Sequence, residues 1–216
     1  MNQPASEKLA DEPQSSRDAL LDAALELFLE QGFAATRVED IAARAGVSKG
    51  TVYLYFSTKR ELFGAVIESG VVERIARAED LAAGFSGSVT DLLATMLRDN
   101  LLEFWDSRSS GILRLIVAEA KQFPELAESF YGEVTGRARQ LLARVLQMGV
   151  DRGEYREIDV DYTARCILNA LDFEIVIAHS LERAREQDFD PQRYIETLID
   201  LILAGVSAKP AQGSSL

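Results

Sequence analysis

Two short helical patterns meet at a single glycine in RVEDIAARAGVSKGTVYLYF, residues 37–56, and few folds accept that arrangement. The first pattern, RVEDIAARA, keeps Val38, Ile41, Ala42 and Ala45 on one side. The second, KGTVYLYF, follows within three residues of Gly46. Gly46 permits a backbone angle at the turn that residues bearing a Cβ resist. Ile41, Ala45, Val47 and Val52 are spaced to form the small core that fixes the angle between the two helices. Such a pair suits a helix-turn-helix. On its second helix Lys49 and Tyr53 are i, i+4 neighbours, as are Thr51 and Tyr55. A DNA major groove accepts a helix of this kind, its N-terminal residues facing base edges.

The rest of the chain also reads as helix, and strand-like alternation is weak throughout. Ser16 precedes RDALLDAALELFLEQG, where Leu20, Ala24, Leu27 and Phe28 follow the spacing of one buried face. Gly32 suits the position just past that helix, with Phe33 as a core plug behind it. Thr36 is placed to cap the next helix, with Glu39 completing a capping box, and Ser48 to cap the one after. A longer helix starts near Lys59 and runs to about Ala82. Beyond the loop at Gly84, Gly87 and Ser88, helices are expected over 89–105, 110–122, 125–151, 160–184 and 191–206. Gly132 and Gly136 are expected to bend the third of these. DRGEYREIDVD reads as a charged connector.

A net charge of −12 argues at first against nucleic acid. The distribution reverses that argument. Residues 36–60 carry Arg37, Arg44, Lys49, Lys59 and Arg60 against only Glu39 and Asp40. From residue 61 onward there are 16 basic and 26 acidic side chains. Phosphate binding depends on the field within a Debye length, roughly 8–10 Å. A local basic face therefore survives an acidic whole, and the acidic remainder discourages DNA elsewhere on the surface.

The string TRVEDIAARAGVSKGTVYLYFSTKRELFGAV resembles the N-terminal domain of TetR-family regulators, and the resemblance covers about residues 16–66. It implies an all-α fold: a three-helix helix-turn-helix domain over 16–66, and an effector-binding and dimerisation domain over 67–207. A flexible arm (1–15) and tail (208–216) flank them. It also implies that Thr36 and Arg37 touch phosphate, and that Ser48, Lys49, Gly50, Thr51 and Tyr53 line the groove-facing side. Tyr55 and Lys59 would meet further phosphates, Lys59 with help from the dipole of its helix. Leu54 stands where many relatives carry a polar or aromatic residue. LRLIVAEAKQFPELAESFY is similar to the ligand-binding domain of AcrR-like members.

The stretch CILNALDFEIVIAH is apolar on nearly all sides, so its helix is buried on more than one face. The following helix offers Ile195, Leu198, Ile199 and Ile202 as a stripe. A chain of this size has little mass to cover both, which points to a homodimer interface; in TetR-like proteins these two helices of each subunit build it. Phe104, Trp105, Phe123, Phe130, Tyr131 and Phe173 suit the wall of an apolar effector cavity. His179, aligned with Asn169, Asp172 and Arg183, reads as a solvated or interfacial stripe. No catalytic constellation is visible, one histidine and one cysteine make no zinc site alone, and no cofactor is expected. The acidic, polar N-terminus lacks the character of a signal peptide, and with the lone Cys166 this favours a reducing cytoplasm. The expected function is a sequence-specific transcriptional regulator, a repressor released by a small apolar or amphipathic effector. The alternative is a helical interaction protein without operator binding.

Overall fold

The computed structural model describes residues 12–180 and 189–208, side chains at 12–15, 99–101, 103, 104 and 106 excepted. The described residues form α-helices and no strands. They divide into two compact units, residues 1–70 and 71–216. The expected arm at 1–11, the tail at 209–216, and the end of the 160–184 helix with Arg183 lie outside the described residues. Residues 12–15, expected in the arm, belong instead to the first helix.

The first unit comprises α1 (Glu12–Ala35), α2 (Val38–Arg44), α3 (Lys49–Tyr55) and α4 (Lys59–Ile67). Its core is a trio of rings. Phe28, Phe33 and Phe63 stand 5.2–5.6 Å apart between centroids, two of the pairs edge-to-face, the geometry aromatic quadrupoles favour. Gly32 interrupts α1 with φ 84° and ψ 164°, where the sequence places the helix end. Gly46 takes φ +71° between α2 and α3. Val52, the inward residue of α3, is buried, as is Phe56 behind it.

Two expectations for this unit are corrected. Thr36 does not cap α2, whose N-cap is Arg37 without a side-chain bond. The Thr36 hydroxyl is buried and turns back onto α1, 2.7 Å from the Gly32 carbonyl and 3.2 Å from that of Leu27. A related reciprocal arrangement, reaching one residue further back, caps α4 instead. The Thr58 hydroxyl accepts from the Glu61 amide at 3.1 Å, and the Glu61 carboxylate accepts from the Ser57 amide at 2.7 Å.

The second unit holds α5 (Glu73–Gly84), α6 (Val89–Asp106), α7 (Gly111–Glu119), α8 (Pro124–Phe130), α9 (Arg137–Asp151), α10 (Val160–Ser180) and α11 (Pro191–Val206). Its core gathers Leu92, Leu93, Val145, Leu146, Ile167, Leu171 and Ile195. Between α8 and α9 the chain winds as a π-helix over Tyr131–Gly136, so the glycines expected to bend this helix bracket a widened turn. A second π-helix, Glu68–Val72, joins α4 to α5 and contains Gly70. Gly64, by contrast, sits in the regular α4.

The stretch read as a charged connector is the tie of this unit. The Glu154 carboxylate accepts from the Val89 amide at 2.9 Å and the Thr90 amide at 3.1 Å, capping α6 from 65 residues away. Tyr155 is buried against Gly149 of α9, where a Cβ would fall 2.1 Å from the ring. Tyr155 also bridges to Ser207, and the Arg156 amide donates to the Val206 carbonyl at 2.9 Å. The Val89 and Thr90 amides hold the Glu154 carboxyl below the usual carboxylate range. A depressed folded pKa gives stability that is present above the unfolded value and lost as pH falls. Glu154→Ala is therefore expected to cost about 1–2 kcal/mol at neutral pH, with the gap to wild type closing on acidification; thermal unfolding at neutral and acidic pH measures it.

Candidate nucleic-acid interface and ligand cavity

The recognition surface is built from α3 outward. Ser48 caps it, its hydroxyl accepting from the Thr51 amide at 3.1 Å and pairing with the Thr51 hydroxyl at 2.8 Å. With Val52 turned inward, Gly50 and Leu54 occupy the opposite face, one turn apart. Gly50 is exposed, and a Cβ there would meet only the Ser48 hydroxyl at 3.6 Å. Leu54 is 76% exposed, the most exposed large apolar side chain described. Lys49 and Tyr53 flank this face on one side, with the ammonium 5.9 Å from the ring centroid, and Tyr53 is itself exposed. Thr51 and Tyr55 flank it on the other, half-buried. Arg37, exposed, opens α2.

The basic face counted from sequence is largely engaged within the unit. Arg44 donates to Glu26 at 3.1 Å and to Glu30 at 3.0 and 3.1 Å. Lys49 is ion-paired with Glu39, which lowers that carboxyl and raises the ammonium from their ordinary values. Lys59 departs furthest from expectation. Its ammonium donates to the carbonyls of Phe33 (2.6 Å), Thr36 (2.8 Å) and Ala34 (3.2 Å), and lies 4.5 Å from the Phe33 ring centroid. An ammonium has three donors, and here all three are spent on the chain end of α1. The side chains of Thr36 and Lys59 thus serve the fold of this unit as well as standing beside its expected phosphate-binding face.

The second unit contains a cavity of about 170 Å³. Its wall is mostly aliphatic, with Ile75, Leu97, Leu113, Leu141, Leu142 and Leu168 among the residues lining it. Three polar residues reach it: Arg74, Thr135 and Asp172. Burial pushes the Asp172 carboxyl up to about 6. Of the expected aromatic wall, Phe130 is the one described side chain that lines the cavity. Trp105 instead stacks on Phe189, with centroids 5.8 Å apart. Phe123 caps α8 without lining the cavity. Tyr131 is exposed, its hydroxyl accepting from Arg165 at 3.1 Å, and Phe173 is 66% exposed. The Phe104 side chain lies outside the described residues. Asp172 was legible only as part of a polar stripe. Its helical neighbour Leu168, four residues back, is the signal that placed it on an inward face.

The expected dimer stripe is partly engaged within its own unit. Ile195 and Ile199 are buried in their own unit, where α11 packs on α6, and Leu198 and Ile202 pack partly against the same core. A bidentate ion pair from Arg98 to Glu196, at 2.6 and 2.9 Å, reinforces that packing. The large apolar side chains left open on α10 and α11 are Tyr162, Phe173 and Leu201. His179 is exposed and meets the buried Ser110 hydroxyl at 2.6 Å. Among the described residues no helix is long and apolar enough to cross a membrane.

Residues 20–66 match the family model for bacterial regulatory proteins of the tetR family, and residues 86–202 the model for a tetracyclin repressor-like C-terminal domain. An uncharacterized HTH-type transcriptional regulator of Bacillus subtilis, YfiR, is 30% identical over 77% of this chain and 82% of its own length. Two solved structures share the fold. SmeT, the repressor of the Stenotrophomonas maltophilia multidrug efflux pump SmeDEF, superposes with a TM-score of 0.71 at 24% identity, covering 95% of both chains. FadR of Bacillus subtilis, solved in complex with stearoyl-CoA, gives 0.69 at 22% identity, covering 87% of this chain and 98% of its own.

Lys59→Met is expected to destabilise the protein by about 1–3 kcal/mol, since three carbonyls lose a charged donor. DNA affinity falls with it, while the slope of log affinity against log salt stays unchanged. Thermal unfolding and salt titrations of DNA binding check both. A slope shallower by about one unit would mean that the ammonium meets a phosphate.

Proposed function

Since the chain belongs to the tetR family of bacterial regulatory proteins, whose members are DNA-binding transcriptional regulators, we propose that it represses transcription as a homodimer and leaves its operator when a small apolar or amphipathic effector fills the cavity of the second unit. In this reading residues 16–66 bind DNA in the cytoplasm, residues 67–207 bind effector and partner subunit, and the protein carries out no catalysis. The observation that carries it is the outward face of α3, where Gly50 and Leu54 lie flanked by Lys49, Tyr53, Thr51 and Tyr55.

Each side chain has a task that its chemistry supports. Gly50 lets the helix backbone approach the base edges. Leu54 offers an apolar surface to thymine methyl groups, a recognised mode of base readout. Thr51 and Tyr53 supply hydrogen bonds to base edges or sugar, and Arg37 and Tyr55 meet phosphate. Lys49 exchanges Glu39 for a DNA acceptor. An exposed ion pair holds little energy, so the exchange is easy.

Release requires that effector and DNA favour different states of one equilibrium. The covalent path between the units runs through the π-helix Glu68–Val72, and two of the next residues, Arg74 and Ile75, already line the cavity, as does Val71. We assign this widened turn as the element whose geometry the effector changes. FadR of Bacillus subtilis binds stearoyl-CoA, but a cavity of about 170 Å³ is closer to one aromatic ring: an apolar cavity of about 150 Å³ holds benzene. The effector of this chain is therefore read as a compact molecule.

Two measurements test the reading. With DNA selected from genomic fragments, Leu54→Ala or Thr51→Ala should change base preference at one half-site position by about 1–3 kcal/mol; unchanged preference in both would remove α3 as the reading helix. For the dimer, Phe173→Asp and Leu201→Asp are expected to shift sedimentation from dimer to monomer without unfolding, because both side chains are already exposed within the subunit. A wild-type protein that sediments as a monomer at micromolar concentration would overturn the assembly.

A further inference from the structure

We propose that the effector is a small organic cation, a protonated amine on an apolar body, whose ammonium is held by Asp172 inside the cavity. This rests on reading the cavity as the effector site and names the ligand class that site would take.

The argument starts from the imbalance of the wall. Most of its residues are aliphatic or aromatic, and such a wall offers a ligand no polar partner. The exceptions are Arg74, Thr135 and Asp172, and of these Asp172 is the carboxylate. It stands one helical turn beyond Leu168 and beside Leu171, all three lining the cavity from α10. Among the described residues no hydrogen bond or ion pair engages its carboxylate. Asp172 is half-buried; a carboxylate partly withdrawn from water without a partner carries a cost, and α10 holds this one there through the surrounding core. Burial alone perturbs it, with no neighbouring cation to offset the effect. Arg74 reaches the same cavity but is engaged in other interactions, and none of them joins it to Asp172. The open valence of the site is therefore an acceptor carrying negative charge.

A ligand that completes such a site brings a donor with positive charge. An ammonium cancels the charge and supplies up to three donors at once. A carboxylate or phosphate ligand would place like charges together in a low-dielectric space, where repulsion is strong. A purely apolar ligand would fill the volume and leave Asp172 as it is. The volume sets the scale of the body: one ring and a short chain, since about 150 Å³ accommodates benzene. Thr135, also on the wall, is a neutral group able to accept a second hydrogen from the same ammonium.

The experiment compares three probes of one shape: phenethylamine, propylbenzene and 3-phenylpropanoate. Each is titrated calorimetrically into the full-length protein, wild type and Asp172→Asn, at neutral pH. The expected result in wild type is phenethylamine binding at least ~10-fold tighter than propylbenzene, the span of one charge-assisted hydrogen bond, with phenylpropanoate weakest. In Asp172→Asn the preference for the amine should collapse to within about twofold, while propylbenzene binds as in wild type, which also shows that the variant is folded with its cavity intact. Asp172→Glu, which retains the charge, should retain the preference. Equal binding of amine and hydrocarbon in wild type, or an amine preference that survives in Asp172→Asn, overturns the charge assignment while leaving the cavity an apolar ligand site. Failure of all three probes to bind overturns both readings.

Discussion

The Lys59 ammonium, set on the carbonyls of Phe33, Ala34 and Thr36 at and just past the end of α1 and over the Phe33 ring, is the interaction on which the first unit depends. Helix C-termini leave carbonyls without intrahelical partners, and the dipole concentrates negative charge there. One side chain from α4 answers both needs at the end of α1. It also fixes α4 against α1, which brings Phe63 onto Phe28 and Phe33. The buried Thr36 hydroxyl adds a second tie to the same chain end. With α1 and α4 locked, α2 and α3 need only the small core of Ile41 and Val52 to hold their angle. Helices of seven residues are not stable alone in water. Here the scaffold supplies what propensity does not.

The second unit solves a different problem, holding long helices around a space that is partly empty. Its closure comes from a stretch that looks like a mere connector. Glu154 completes the first turn of α6, Tyr155 fills the notch at Gly149, and the backbone of 154–156 joins the end of α11. Three helix ends are thereby tied at one place, far along the chain from the cavity wall at Val71–Ala78 and Phe130–Leu142. Most of the wall is apolar and needs no water, which lets it tolerate a void; Arg74, Thr135 and Asp172 are the polar exceptions. Packing defects of this kind cost stability, and a ligand that fills one recovers it.

Charge illustrates how a correct count leads to an incomplete picture. Five cations between residues 36 and 60 suggest a strongly positive face. Three of them are occupied inside the unit, by Glu26 and Glu30, by Glu39, and by carbonyls. Counting gives the sum of charges, whereas the field at a phosphate depends on where each charge is spent. The outward groups of α3 remain exposed, with Lys49 held in a surface pair with Glu39.

The sequence by itself determined the helical class, the order of the helices, the turn at Gly46, the cap at Ser48 and the inward residues Val52 and Phe56. Each of these depends on neighbours within about one helical turn, and local spacing encodes them. The glycines at 132 and 136 marked the place of an irregularity, but not that it is a widened turn. Tertiary structure alone decided the rest. The bonds of Lys59 and Thr36 to the end of α1 join residues far apart in sequence, which no local spacing reveals. The stripe Ile195, Leu198, Ile199 and Ile202 shows that one face of α11 is covered, and a stripe is the same whether a partner or its own subunit covers it; α6 does so here. Aromatic residues collected by position along the chain proved scattered, with Phe173 outward and Phe130 on the cavity. Asp172 is polar by composition and inward by register, and only the packing of α10 resolved that conflict. Periodicity reports which side of a helix is apolar, while the identity of what meets that side is a property of the fold.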